Sequence, residues 1–337
     1  MYEIIASSLA LLATFAFTWY LTKRWIPAAI YFGLVGKDMN KYNRPEVAEG
    51  GGVAVILGMA SGLFLYLFLK SIFGHPTHLT EIYAITTTVV LAGFIGFIDD
   101  ILGWKKGIRQ SRKVILSSIV ALPMVTLILM NPQYNSFVVW GIPLWFYAIV
   151  IVPVGIIGAA NAYNMVGGYN GLEAGLGIII LITIATQAAI NGELWITCIS
   201  LIGSAALAGF LYFNWFPAKV FPGDSLTYPV GALIGAMVIL GNMEIFGVLL
   251  FPLYFIDFAL FLRARFFDKL EKIEAFGVVD NKGHLEMPYK KIYDSCHIAI
   301  WILKKLKKYA TERGVVLALY IIQLLISALV IYVFNFI

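Results

Sequence analysis

Apolar residues run almost unbroken over 4–22, 50–69, 82–100, 114–131, 141–160, 172–190, 194–214, 225–243, 245–263 and 314–337. Each run is close to the roughly 20 residues that a helix needs to cross the hydrocarbon core of a bilayer. The pattern predicts an all-α integral membrane protein: about ten transmembrane helices in a single domain over 1–337, with short polar connections between them. The first run follows Glu3 rather than a basic stretch and ends at Lys23 and Arg24. It therefore reads as a retained span and not a cleaved signal peptide. No internal repeat is evident.

Composition agrees with this pattern. Hydrophobic residues make up 61% of the chain and charged residues 13%, whereas a soluble domain carries about 25% charged residues. The charges are also one-sided. Segments 23–49, 101–113, 161–171, 215–224 and 264–313, with Arg263 at a helix end, hold 23 of the 24 Lys and Arg residues, and Lys70 alone falls on the other side. By the positive-inside rule these segments are cytoplasmic and both termini lie outside. The net charge of +5 is then a feature of the inner face, suited to anionic headgroups and phosphate substrates as well as to topology alone. Cys198 and Cys296 have neither the number nor the spacing of a disulfide framework or a zinc site.

The outer connections are short, so candidate chemistry lies on the inner side. Gly96-Phe97-Ile98-Asp99-Asp100 puts adjacent carboxylates at the inner end of the third span, where an unneeded charge is costly. With Arg109, Arg112 and Lys113 following, this is equipment for phosphoryl transfer, in which carboxylates serve a metal or a proton and cations hold phosphate. The next inner connection, Asn161 to Gly175, lacks Lys and Arg but carries Asn161, Asn164 and Asn170 among glycines. Such residues suit a nucleobase or a hard cation. Phe221-Pro222-Gly223-Asp224-Ser225 brings an acid to the start of the eighth span, either as a helix cap or as a third oxygen ligand at the same depth. Asp280, Lys282, His284, Lys290 and Lys291 crowd a basic segment able to hold a diphosphate. Residues 298–309 mix Trp301 and Leu303 with four lysines, as a helix on a membrane surface would.

Together these loops resemble the polyprenyl-phosphate N-acetylhexosamine-1-phosphate transferase superfamily over nearly the whole chain. Bacterial members show acids where Gly167 and Asn170 stand here. The run Asn161-Ala162-Tyr163-Asn164 to Gly168-Tyr169-Asn170-Gly171-Leu172-Glu173-Ala174-Gly175 is similar instead to the dolichyl-phosphate GlcNAc-1-phosphate transferase branch of archaea and eukaryotes. The resemblance implies that Asn164 and Asp224 bind magnesium (or manganese), that Asn170 reads the uracil with Asn161 nearby, and that Phe221 stacks on the base. In the first inner loop it implies that Lys41 and Glu49 flank the active site. The lysine that one subgroup carries four residues after its first Asp is Gly103 here, so the phosphate-binding role is placed on Lys113. The family's His cluster is reduced to His284, a departure from the pattern; Lys282, His284, Lys290 and Lys291 are the candidates for the phosphate and sugar because they crowd this basic segment.

The reaction so implied is attack by a polyprenyl or dolichyl phosphate on the sugar-bound phosphorus of a UDP-sugar, with UMP leaving. Asp99 or Asp100 would orient or deprotonate the acceptor, and a covalent aspartyl intermediate is the competing route. The expected partners are the UDP-sugar, the lipid phosphate and membrane lipid, with a homodimer allowed and no nucleic acid. The expected location is the cell membrane. Two other readings are the same transfer with another donor, such as UDP-MurNAc-pentapeptide or UDP-GalNAc, and a transporter. A transporter would place ionisable residues near the midplane and show repeats. Here the acids gather at one face, and Asp257 alone lies deeper.

Overall fold

A computed structural model describes residues 2–74, 77–106, 110–271 and 273–336, with the side chains of 2–4 and 103–117 excepted. In chain order it contains α1 (Tyr2–Tyr31), β1 (Val35–Lys37), β2 (Glu46–Ala48), α2 (Gly52–Ile72), α3 (Leu79–Lys106) and α4 (Gln110–Met130). Then come α5 (Leu144–Met165), α6 (Leu172–Ile190), α7 (Leu194–Asn214) and α8 (Asp224–Leu240). The last third holds α9 (Glu244–Leu249), α10 (Pro252–Leu262), β3 (Val278–Val279), β4 (Leu285–Glu286), α11 (Ser295–Lys307) and α12 (Glu312–Phe336).

Among the described residues, seven helices are long and apolar enough to cross a membrane, and apolar helices over Ser118–Met130 and Asp224–Leu240 are shorter. The protein is thus a helical membrane protein. The run at 245–263 is not one helix. Pro252 has no N–H to donate and crowds the preceding turn, so the chain breaks between α9 and α10. The amide of Gln323 on α12 donates to Leu250 O (3.1 Å) at the break, so this backbone carbonyl is satisfied within the protein. Pro153 has a milder effect in α5. The missing N–H widens the preceding turn to π-type winding over Tyr147–Ile151.

The centre is α8, whose residues from Ser225 to Leu240 are all buried, as expected of a helix that is apolar on every side. Gly231 and Gly235, one turn apart, let α5 approach. A Cβ on Gly231 would lie 2.6 Å from Ala159 O, the small-xxx-small contact by which membrane helices pack closely.

The sequence reading gave no strands. The two hairpins, β1 with β2 and β3 with β4, are antiparallel and lie in the connections. The first one positions the site. Ala48 bridges to Val220, the Phe221 N–H donates to Ala48 O (2.7 Å), and the Gly51 and Gly52 N–H groups donate to Phe221 O and Pro222 O (3.0 and 2.9 Å). The first inner loop and the 220–223 loop are therefore stitched into one wall.

Candidate active site

Three adjoining cavities run from where these loops meet to α10. One of 260 Å³ is lined by Lys37, Asp38, Glu49, Asn170, Glu173 and Phe221 among others. A second, of 180 Å³, shares Gly168, Glu173, Pro222 and Gly223 with it and adds Asn164, Asp224 and Thr227. A third, of 770 Å³, shares Asn164 and Met165 with the second and is lined further by Asn161, Tyr228, Asp257, Arg265 and Asp294.

Asn164 and Asp224, from α5 and α8, thus face one space. Thr227 Oγ1 donates to Asn164 Oδ1 (2.6 Å) and orients the amide, leaving the oxygen a second lone pair. Asp100 is placed differently from a free base. Its two oxygens accept the N–H groups of Asp224 (2.7 Å) and Ser225 (3.0 Å), so it caps the first turn of α8 from α3. Gly223 makes room for this. Its φ is +68°, and a Cβ there would meet the Asp100 carboxyl carbon at 2.7 Å. Asp99, the preceding residue on α3, is half-buried. Lys113 lies on α4, but its side chain is outside the described residues.

Glu49, Asn170 and Phe221 share the first cavity. Glu49 is held by its backbone, whose carbonyl accepts from Trp25 Nε1 (2.8 Å), and partial burial raises its carboxyl above the usual carboxylate range. Asn161 is set apart from that group. It accepts from Tyr228 Oη (3.3 Å) and donates to Ile157 O (2.8 Å) on the third cavity. Lys41 does not line the first cavity. It pairs with Asp38 (3.1 Å) and with Glu312 at the start of α12, and lies over the Phe216 ring. Lys37 lines the cavity in its place.

The basic segment is likewise absent from the cavity walls described. His284 pairs with Asp280 (3.3 Å) and packs beside Tyr309, Lys291 pairs with Asp268, and Lys282 and Lys290 are exposed. That part of the chain contributes Phe276 to the first cavity and Arg265, Tyr293 and Asp294 to the third.

Glu173 was missed as a site residue although it stands in the quoted motif. It is buried, accepts from the Gly168 N–H (2.7 Å), and belongs to both smaller cavities. Asp257 and Asp294 are both buried and accept from the N–H groups of Ser295 and Cys296 respectively (2.7 Å each) at the start of α11. Burial first, and then the charge of Asp257, pushes the Asp294 carboxyl up. A carboxyl raised in the folded state binds a proton that the unfolded chain releases, so its stabilising contribution is present near pH 4 and is lost as pH rises toward neutrality. Asp294→Asn keeps the helix cap without the charge. It should flatten that slope and raise the thermal midpoint at pH 8, and parallel midpoint-versus-pH curves for the two proteins would refute this.

The chain is similar to known proteins over most of its length. Residues 82–242 match the family described as glycosyl transferase family 4. A protein of Saccharolobus solfataricus, provisionally named UDP-N-acetylglucosamine–dolichyl-phosphate N-acetylglucosaminephosphotransferase, is 35% identical over 84% of each chain. One of Sulfolobus acidocaldarius with the same provisional name is 30% identical over 97% of this chain and 96% of its own. A Bacillus subtilis protein, provisionally an undecaprenyl-phosphate N-acetylglucosaminyl 1-phosphate transferase, is 29% identical over 72% of this chain and 64% of its own.

Proposed function

Because the chain belongs to glycosyl transferase family 4, we propose that it transfers GlcNAc-1-phosphate from UDP-GlcNAc to dolichyl or a related polyprenyl phosphate, releasing UMP. The observation that carries this reading is the row of three cavities, with Asn164 and Asp224 on the middle one. The first takes the uridine, with Phe221 against the base and Glu49 and Asn170 offering polar contacts. The middle takes the diphosphate. The third opens beside Phe258 and Phe261, which are exposed on α10, and Arg265 is the one Lys or Arg lining it among the described residues. An acceptor phosphate would sit there. Its prenyl chain would follow the apolar groove of 400 Å³ along α5, α8 and α10, lined by residues such as Ile151, Val154, Ile234 and Phe255. The basic loops, and with them the site, are assigned to the cytoplasm.

The oxygens of Asn164 and Asp224 suit a hard cation, since magnesium is commonly held by one or two protein oxygens with substrate phosphates and water completing the shell. Bound there, the ion would offset the diphosphate charge that repels an incoming phosphate. The protein's own contribution is positional. Asp100 fixes the backbone of Asp224, Thr227 fixes Asn164, and Asp99 lies at the same inner end of α3 to orient the acceptor or take its proton. Lipid phosphate has a second pKa near 6, so much of it is already a dianion at pH 7, and direct displacement needs no covalent enzyme intermediate.

The test is label transfer by the purified protein with magnesium, from UDP-GlcNAc radiolabelled at the β-phosphate to dolichyl phosphate. Labelled lipid with equimolar UMP is the expected result. Transfer from a different UDP-sugar alone would replace the donor, and no transfer from any UDP-sugar would overturn the reading.

A further inference from the structure

Asn170 cannot by itself distinguish uracil from cytosine. Uracil presents an N3–H donor between two carbonyl acceptors, whereas cytosine presents an N3 acceptor beside an amino donor. A carboxamide matches either one by rotating half a turn. In this protein the rotation is blocked. Asn170 is 3% exposed and lines the first cavity, and its Nδ2 donates to Asp38 Oδ2 (3.0 Å). A carboxylate offers acceptors only, so the amide nitrogen must face Asp38 whichever way the side chain is first drawn. The pivot is fixed as well, since the Asn170 N–H donates to Glu312 Oε1 (2.9 Å).

Asp38 is itself immobilised. It is 2% exposed, its Oδ1 accepts from the Asn40 N–H (3.1 Å), its Oδ2 lies 3.1 Å from Lys41 Nζ, and its own N–H donates to Pro45 O (2.9 Å). Lys41 supplies the cation shared by Asp38 and Glu312. What Asn170 has left to present is Oδ1 and its second Nδ2 hydrogen, in fixed order. That order accepts from N3–H and donates to the neighbouring carbonyl of uracil, and it sets oxygen against the N3 lone pair of cytosine.

We propose that Asp38 is a specificity-determining positioning residue: by locking the Asn170 amide, it makes the site accept uridine and reject cytidine nucleotides. This inference rests on the reading of the first cavity as the uridine site. Asp38 borders the same cavity, but the discrimination argued here is exerted through the Asn170 amide that it holds.

The experiment compares binding of UDP and CDP to the purified full chain and to Asp38→Asn. An amide at 38 can donate or accept, which frees Asn170 to turn. The wild type should prefer UDP, and in Asp38→Asn the UDP-to-CDP ratio should narrow by about tenfold to a hundredfold, the worth of one bidentate base contact. KM for the UDP-sugar should rise by more than kcat falls. An unchanged ratio in a folded variant overturns the inference and leaves the uridine site standing. A wild type that binds neither nucleotide, or both alike, overturns the uridine site itself and the inference with it. If Asp38→Asn does not fold, the wild type supplies the answer with UDP methylated at N3. Binding weakened tenfold or more supports an acceptor facing N3, and affinity equal to that of UDP overturns it.

Discussion

Asp224→Ala is expected to lower sugar-phosphate transfer by about a thousandfold, the scale on which removing one electrostatic stabiliser of a reaction's developing charge is felt. The loss should appear in kcat and in the response to magnesium, because Asp224 shares the middle cavity with Asn164 and does not line the cavity assigned to uridine. UDP binding should therefore persist. The helix should also survive, since its first two N–H groups are capped by Asp100 and not by the side chain that is removed. The decisive measurement is a magnesium titration of label transfer by wild type and variant. Equal activity at saturating magnesium would remove Asp224 from the metal site.

Asp100→Ala should fail in a different way. It leaves the N–H groups of Asp224 and Ser225 without their acceptor, next to the fully buried Ser225. Each such unsatisfied group costs about 1–3 kcal/mol. The variant should lose both thermal stability and activity, because the turn that carries Asp224 is no longer anchored to α3. Asp99→Asn is the control. It should reduce transfer while leaving the thermal midpoint close to wild type. If the midpoint of Asp100→Ala equals that of wild type, Asp100 does not hold α8, and its part in the reaction has to be direct.

The helices and the loops that line the candidate site were legible because their signals are local. A run of about 20 apolar residues is visible in one window, and Asn164, Asp224, Glu49 and Phe221 stand in short motifs whose loops the fold brings together. Partnerships between distant residues carry no such signal. Nothing near Asp100 announces that its carboxylate is taken by N–H groups 124 and 125 positions later. Lys41 has the surroundings of a phosphate ligand in sequence, yet its partner Glu312 is 271 positions away. The lysines after Asp280 look like a diphosphate clamp until their neighbours are seen, whereas Arg265 sits in a plain aromatic stretch and reaches a cavity wall. The hairpin strands were invisible for another reason. Two or three residues are too few to show a two-residue period, and pairing of the first hairpin to the 220–222 loop depends on contacts across the fold.

The contact between Glu312 and Asn170 also orders events in time. Ribosomes add about 5–20 residues per second, so Lys41 emerges roughly half a minute before the Glu312 that completes its triad. Over about the last third of that interval a growing chain already inserted in the bilayer holds Phe221 and Asp224 but lacks the acid that receives the Asn170 N–H. The Asn170 N–H therefore gains its side-chain acceptor only when the first turn of α12 emerges.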